Sequence, residues 1–479
     1  MPCGRVRLGQ SSVGPACLLV CLAATVCWLP GCRPPGNREP DREARPGTLG
    51  PHAPKTKAEA AAAASPDPHC APAIAFIAFG RDYEEPIQVV RLEGERFAAR
   101  FTHPRDYTFI PAMAYDASGR KLYLAHPRHR LVLQADGTLL SRLHRKQDIH
   151  EEFFCVDAQN HLWSVHRDRP RPTPQRLMWS RLPFEQVERS LELPETAAHP
   201  VPAAAGGDSR WRGISFFAES SSPYGPPVFA IGPVGRGGET VLWRWHADGR
   251  MEVIGFPESE RGHVYTAYQL HAMGANRLLM VYQKGEEHRP YDYYVAVWDG
   301  QWTRLRDSAG RPLKVNRFSG GRVNIRATII ETPSGEIVLA TTEQSRARRS
   351  RREPDHWVLR VQRYDAREKR FERLGYEPRP GELCRRPDSY KADPWLWLHR
   401  GRLHLSWTEG DPHARLFVVA LHQEGWREVG SRNRRGGGIF PKLDPVFFNY
   451  AVAQCPGADR VSAGSTDRAD GRFPDGSAE

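Results

Sequence analysis

Arginine is the side chain this chain concentrates in its irregular stretches. Arg346, Arg348, Arg349, Arg351 and Arg352 crowd one segment, and Arg167, Arg169, Arg171 and Arg176 crowd another. Arg128 and Arg130 flank His129, and Arg326 stands alone at the start of an apolar run. A planar guanidinium fork matches carboxylate and phosphate geometry. Arg128, Arg130, Arg167, Arg169, Arg326, Arg346, Arg348 and Arg349 are therefore the candidate anion-binding residues. Acidic residues in neighbouring segments (Glu84, Glu85, Glu151, Glu152, Glu286, Glu287) dilute that field. Net charge over 479 residues is +12, of which Arg5 and Arg7 supply two. Acidic glycans, phosphorylated headgroups or nucleic acid answer such a charge. His126, His129, His144 and His150 match no metal-ligand spacing, and arginines beside them would repel a cation. No Gly-rich phosphate loop, nucleophile elbow or His-Glu-x-x-His is present. No cofactor and no metal is expected.

The elements that would hold these residues are short strands. Apolar residues nowhere sustain a helical period; runs rich in Val, Ile, Leu, Tyr, Phe and Trp alternate with Gly and Asp turns. One hairpin type recurs at 109–126, 153–166, 266–283, 324–343 and 394–409. A second follows after a variable loop, at 130–143, 240–256, 293–305, 357–374 and 416–429. Two hairpins per cycle make a four-stranded antiparallel sheet, and sheets repeating along a chain resemble the blades of a β-propeller. The expectation is an all-β propeller of about seven blades, with 211–256 and 177–193 the poorest fits. Turns inside the hairpins are short and glycine-bearing, as at Ala117-Ser118-Gly119, Asp299-Gly300 and Ser334-Gly335. Connections on the opposite face are long and carry the arginines, so that face is the expected working surface.

The first blade is one strand short, with runs at 74–79, 87–92 and 96–101. The leftover run Val446 to Ala453 is expected to supply its innermost strand and close the ring, which removes an open edge. Cys455 then follows one strand as Cys70 precedes its neighbour, at the place of the missing turn. A Cys70–Cys455 disulfide follows, closing nearly the whole domain and worth on the order of 4–5 kcal/mol by the chain-entropy model. Cys155 and Cys384 are left without an assignment.

The N-terminus has the order of an export signal: Arg5 and Arg7, the apolar stretch Ala16 to Leu29, then Leu29-Pro30-Gly31-Cys32. This last tetrad resembles the lipobox of bacterial lipoproteins, with Pro30 a departure from the commoner Ala or Ser. The resemblance implies cleavage after residue 31 and lipidation of Cys32, and hence attachment to a membrane of the cell envelope. Arg33 lacks the acidic retention signal of some bacteria, which favours the outer membrane. Residues 32–69, rich in Pro, Ala and charge, read as a tether, 70–455 as the propeller and 456–479 as a polar tail.

Around Asn324-Ile325-Arg326-Ala327-Thr328 and Gly335 to Ala340 the chain is similar to sialidase-like propellers over one blade. There an arginine enters the funnel before a strand–turn–strand. That resemblance implies a carboxylate site at Arg326, with Arg105 a second positional match. The Asp-box turns, a third arginine and the Tyr–Glu pair are absent. The expected function is a lipid-anchored binding module for an anionic glycan or an envelope protein, not nucleic acid. A glycan-active enzyme is the alternative.

Overall fold

In the computed structural model, the described residues are 70–77, 87–93, 96–103, 113–125, 129–134, 136–144, 151–157, 159–167, 177–189, 198–200, 228–231, 241–245, 251–255, 257, 263–272, 277–286, 292–315, 325–345, 356–374, 391–409, 415–429 and 450–455. They form an all-β domain of antiparallel sheets, propeller-like in the repetition of one unit. The first sheet holds β1 (Ala73–Ile77), β2 (Ile87–Glu93) and β3 (Arg96–His103). The second runs β4 (Met113–Tyr115), β5 (Lys121–Ala125), β6 (His129–Gln134), β7 (Leu139–His144). The third contains β8 (Glu151–Val156), β9 (His161–Arg167) and β10 (Leu177–Pro183). A short helix, α1 (Phe184–Arg189), follows, and then the outer strand β11 (Ala198–Pro200). The fourth has β12 (Val228–Ile231), β13 (Val241–Trp245) and β14 (Met251–Val253).

The fifth is β15 (His263–Ala272), β16 (Arg277–Glu286), β17 (Asp292–Asp299) and β18 (Trp302–Arg304). The sixth is β19 (Ile325–Glu331), β20 (Ile337–Ser345), β21 (His356–Asp365) and β22 (Arg370–Arg373). The seventh is β23 (Lys391–His399), β24 (Arg402–Glu409), β25 (Arg415–His422) and β26 (Gly425–Glu428). Finally β27 (Tyr450–Ala453) returns to the first sheet, where Ala73 to Phe76 pair antiparallel with Ala453 to Tyr450. The two sulfurs of Cys70 and Cys455 lie at bonding distance just beyond this pairing, with Cα atoms 5.8 Å apart. Both cysteines are buried in the core shared by the first and second sheets. Tyr115 Oη donates to Ala71 O at 2.7 Å, fastening the same segment to the second sheet.

Two stretches depart from the sequence reading. The run 177–193 does not fold into a hairpin: its strand stops at Pro183, and α1 takes the next residues. Phe184 at the start of α1 packs edge-on against Tyr123, with ring centroids 6.2 Å apart. The outer strand is then drawn from 198–200. The fourth sheet has three strands among the described residues, with β12 at 228–231 pairing the expected 240–256 hairpin.

The core lies between sheets, because the second strand of a sheet is covered on both faces. In β16, Leu278, Met280 and Tyr282 pack toward the fourth sheet with Ile254, whereas Leu279 and Val281 pack toward the sixth. Two-sided burial is why such strands read as continuous apolar runs rather than alternations. Equivalent clusters join the sixth sheet to the seventh, the seventh to the first, and the first through the second to the third. Indole hydrogen bonds repeat at the outer edge. Trp302 in β18 donates to Ile254 O at 3.2 Å, and Trp426 in β26 donates to Leu374 O at 3.1 Å. Each links the outermost strand of one sheet to the chain just past the outermost strand of the preceding sheet.

Candidate functional site

The two ends of the sheets differ in how their polar groups are used. At the tight-turn end one device recurs between first and second strands: Asp116, Asp157 and Thr332 open a turn that a left-handed residue finishes. In each, the N–H of Gly119, Asn160 or Gly335 donates back to the carbonyl of the opening residue. Gly119 and Gly335 have φ of 72° and 81°, and Asn160 takes 62°. Asparagine is among the few non-glycine residues that tolerate this region. Asp116 Oδ1 accepts from the N–H groups of Arg120 and Lys121, both at 2.8 Å. The second and third turns are tied by Asn160, whose Oδ1 accepts from Ala117 N while its amide donates to Glu185 Oε1.

Asp157 is the most heavily engaged of these carboxylates. It accepts from Gln159 N and His161 N at 2.9 Å each, from Trp163 Nε1 at 2.8 Å, and from Arg181 Nη2 at 3.2 Å. Burial alone would raise its pKa, but hydrogen bonds from His161 and Trp163 outweigh burial and hold it below the ordinary carboxylate value. Arg181 also lies over the Trp163 ring, 5.2 Å from its centroid. Sequence reasoning missed this cluster. Its signal was the Asp-x-x-Gly/Asn spacing shared by 116–119 and 157–160.

The seventh sheet carries two buried histidines near its turn. His404 stacks on Trp397 with centroids 4.3 Å apart and an interplanar angle of 17°, and His399 meets it edge-on. Burial, with Arg400 and Arg402 nearby, pushes His399 down to about 4. Burial pushes His404 down to about 3; a hydrogen bond to the Arg402 carbonyl opposes this, and His399, Arg402 and His422 add to it. Both rings are therefore neutral over the physiological range.

The opposite, loop-bearing end is where the candidate arginines fall. Arg130 pairs with Ala125 at the far end of β5 from its turn, Arg167 pairs with Leu177 at the end of β9, and Arg326 pairs with Thr342 near the start of β19. These three share the loop end of their own sheets, on different sheets. Arg128, Arg169, Arg346, Arg348, Arg349 and Arg105 lie outside the described residues, as do Cys32 and its surroundings.

Polar groups are buried at this end too. Glu343 is fully buried and ion-paired to Arg360 of the neighbouring strand. Glu409, also buried, accepts from Trp407 Nε1 at 3.2 Å. Ser406 Oγ lies 2.9 Å from Tyr450 Oη, a polar link between the seventh and first sheets. Thr342 is buried, and its Oγ1 has no hydrogen-bond partner among the described residues.

The pairing of three first strands also shifts register at this end. Glu152 in β8 and Tyr268 in β15 are each an extra residue with no pairing partner. In β23, Asp393 and Pro394 stand opposite the single Trp407. Sequence reasoning missed these bulges.

No family model matches the chain, and no curated protein matches it. Among solved structures it is similar to the following three. One is a TolB-like protein from Agrobacterium tumefaciens, 11% identical, covering 80% of this chain and 97% of that one, with a TM-score of 0.29. Another is YCF48 bound to D1 peptide, 12% identical over 78% and 92%, with a TM-score of 0.36. The third is a thermostable family-43 glycoside hydrolase, 11% identical over 49% and 80%, with a TM-score of 0.30.

Proposed function

We propose that this chain is an exported lipoprotein whose seven-bladed propeller, held off a membrane by the tether behind Cys32, binds an anionic macromolecule or an envelope protein through its loop face. The single observation that carries the binding reading is the placement of Arg130, Arg167 and Arg326 at the loop ends of three different sheets. A ring of seven blades is supported by six inter-sheet cores running from the fourth sheet to the seventh, on to the first and through to the third. The β1–β27 pairing and the Cys70–Cys455 bridge fit closure by a terminal strand. A binder is favoured over a hydrolase because the buried acids Glu343 and Glu409 are engaged by Arg360 and Trp407.

The envelope half of the reading is tested by intact mass of the membrane-extracted protein, which should carry acyl groups that Cys32→Ser abolishes. An unacylated wild-type chain overturns it. The binding half is tested with inorganic polyphosphate and oligogalacturonate as polyanion probes. Affinity should fall steeply with added salt and further in an Arg346→Ala, Arg348→Ala, Arg349→Ala variant. Salt-independent binding, or none, overturns it.

A further inference from the structure

Neighbouring sheets hold their tight turns on one side. Between the fifth and sixth sheets, Arg277 and Glu331, each at the turn end of its strand, pair at 3.7 Å. Between the sixth and seventh, Leu396 N donates to Thr328 Oγ1 at 3.2 Å, each residue near the turn end of its first strand. The Ser406–Tyr450 link joins the seventh sheet to the first at a similar height. Tyr115 Oη donating to Ala71 O, and Ala117 N donating to Asn160 Oδ1, carry the same order on to the second and third sheets. The chain enters and leaves the domain on this side: β1 begins there and β27 ends there, at Cys70 and Cys455. Residues 33–69 join Cys32 to that end. A lipid on Cys32 therefore hangs from the turn end, and a short linker keeps it at an effective concentration on the order of millimolar over the bilayer.

The surface at this end suits such a neighbour. Leu139 and Leu140 are the exposed large hydrophobics among the described residues, at 40% and 39%. They open the edge strand β7, and Leu139 pairs with Leu133, which is buried in one cluster with Cys70 and Cys455. Consecutive strand residues ordinarily point to opposite faces. Here the register shifts, Leu140 has no pairing partner on β6, and both leucines reach solvent. Cations also sit where glycine or asparagine is the ordinary choice. Arg400 and Gly401 take φ of 52° and 70°, and Lys369 takes 51°. Lys369 and Arg400 are exposed, as are Arg367, Arg370 and Arg402 around them. The exposed acids of these turns and of the turn before Leu139 are Glu368 and Asp136.

We infer that the turn end of the sheets rests on an anionic lipid surface, with Leu139 and Leu140 entering the interface and Lys369, Arg400 and the arginines around them meeting the headgroups. Apolar side chains enter the headgroup boundary, and each cation near an acidic surface adds about fivefold to binding. This inference rests on the envelope reading for the presence of the membrane, and it turns the loop end away from the bilayer.

The test follows amide exchange by mass spectrometry in the membrane-extracted full protein, in vesicles of phosphatidylglycerol with phosphatidylcholine and in vesicles of phosphatidylcholine alone. Residues 136–141, 365–370 and 399–402 should exchange about fivefold more slowly in the acidic vesicles, and the loop-end residues 342–345 equally in both. Lys369→Asn with Arg400→Asn removes two charges and fits the left-handed positions, so this variant should melt no lower than wild type and yet lose the protection at its two turns. Leu139→Ser with Leu140→Ser should lose it at 136–141. Protection that is equal in the two vesicle types, that survives either variant, or that falls on the loop end overturns the inference. If intact mass finds no acyl group, the envelope reading fails by itself, and flotation of the unacylated protein with the same vesicles judges the turn end. Binding to the acidic vesicles that the asparagine variant weakens about thirtyfold sustains the inference. Equal recovery with both vesicle types, or with neither, overturns it.

Discussion

Lowering the pH should destabilise this domain through His404 in particular. The ring is buried at 3% exposure, stacked on Trp397, with Nδ1 donating to Arg402 O at 3.0 Å. The hydrogen bond assigns the proton of the neutral ring to Nδ1, so acid must place a second proton on Nε2 inside the core. Its folded pKa, about 3, is depressed from the ordinary 6.5. The stabilisation is therefore complete above the unfolded value and is lost as pH falls below it, because the unfolded chain takes up a proton that the native state refuses. At pH 4.5 the unfolded ring is almost fully protonated and the native ring almost neutral, which costs about 3 kcal/mol relative to pH 7.5. His399 acts in the same direction, by less, because its end of the strand lies nearer solvent.

The perturbation is His404→Phe, which keeps an aromatic ring against Trp397 and removes the titration. Losing the bond to Arg402 O should cost about 1 kcal/mol at every pH. The informative quantity is thus the change in the difference between wild type and variant from pH 7.5 to pH 4.5, read by urea unfolding at several pH values. That difference should shift by about 2–3 kcal/mol in favour of the variant. Parallel pH profiles for the two proteins would refute the reasoning, since every other titrating group is common to both.

Cys455→Ser should lower stability by about 2–5 kcal/mol, because the bridge spans a separation of 385 residues, and wild type with dithiothreitol should approach the variant. Asp157→Ala leaves an indole N–H, two backbone N–H groups and Arg181 without their acceptor, and should cost about 2–4 kcal/mol in urea unfolding. Trp426→Phe removes one inter-sheet hydrogen bond to Leu374 O while keeping most of the apolar contact. It should cost about 1–2 kcal/mol, with little change in the near-ultraviolet spectrum of the remaining tryptophans.

What could be read from the sequence was whatever repeats locally. A hairpin writes its own signature, because two apolar runs and a turn with a left-handed residue are contiguous, and 116–119 and 332–335 carry theirs plainly. The unused run 446–453 stood out because a four-stranded cycle left the first sheet one strand short, and Tyr450–Ala453 does pair with Ala73–Phe76. The stretch 177–200 misleads for a physical reason. Apolar residues are scattered through both LMWSRLP and FEQVER, yet Phe184–Arg189 is helical, and Phe184 packs on Tyr123 of the second sheet, a contact the local sequence does not announce. The bulges were hidden for another reason. Neither AYQL nor ADPW lies in a strict apolar–polar alternation, so one extra residue there leaves no mark in the pattern.

The asymmetry between the two ends of the sheets follows from how each end must satisfy its backbone. A tight turn leaves N–H groups pointing inward within a few residues of one another, and a single aspartate can answer several, as Asp116 and Asp157 do. Those side chains are consumed by the fold and are unavailable to a ligand. Long connections impose no such local demand, so the residue types at their roots are free of turn chemistry. At that end the chain places Arg130, Arg167 and Arg326, and it interrupts three first strands at Glu152, Tyr268 and Asp393. At each of these bulges a regular pairing is lost that β19 keeps along its whole length against β20. The proposed binding face thus falls on the end of the sheets where no turn competes for the side chains.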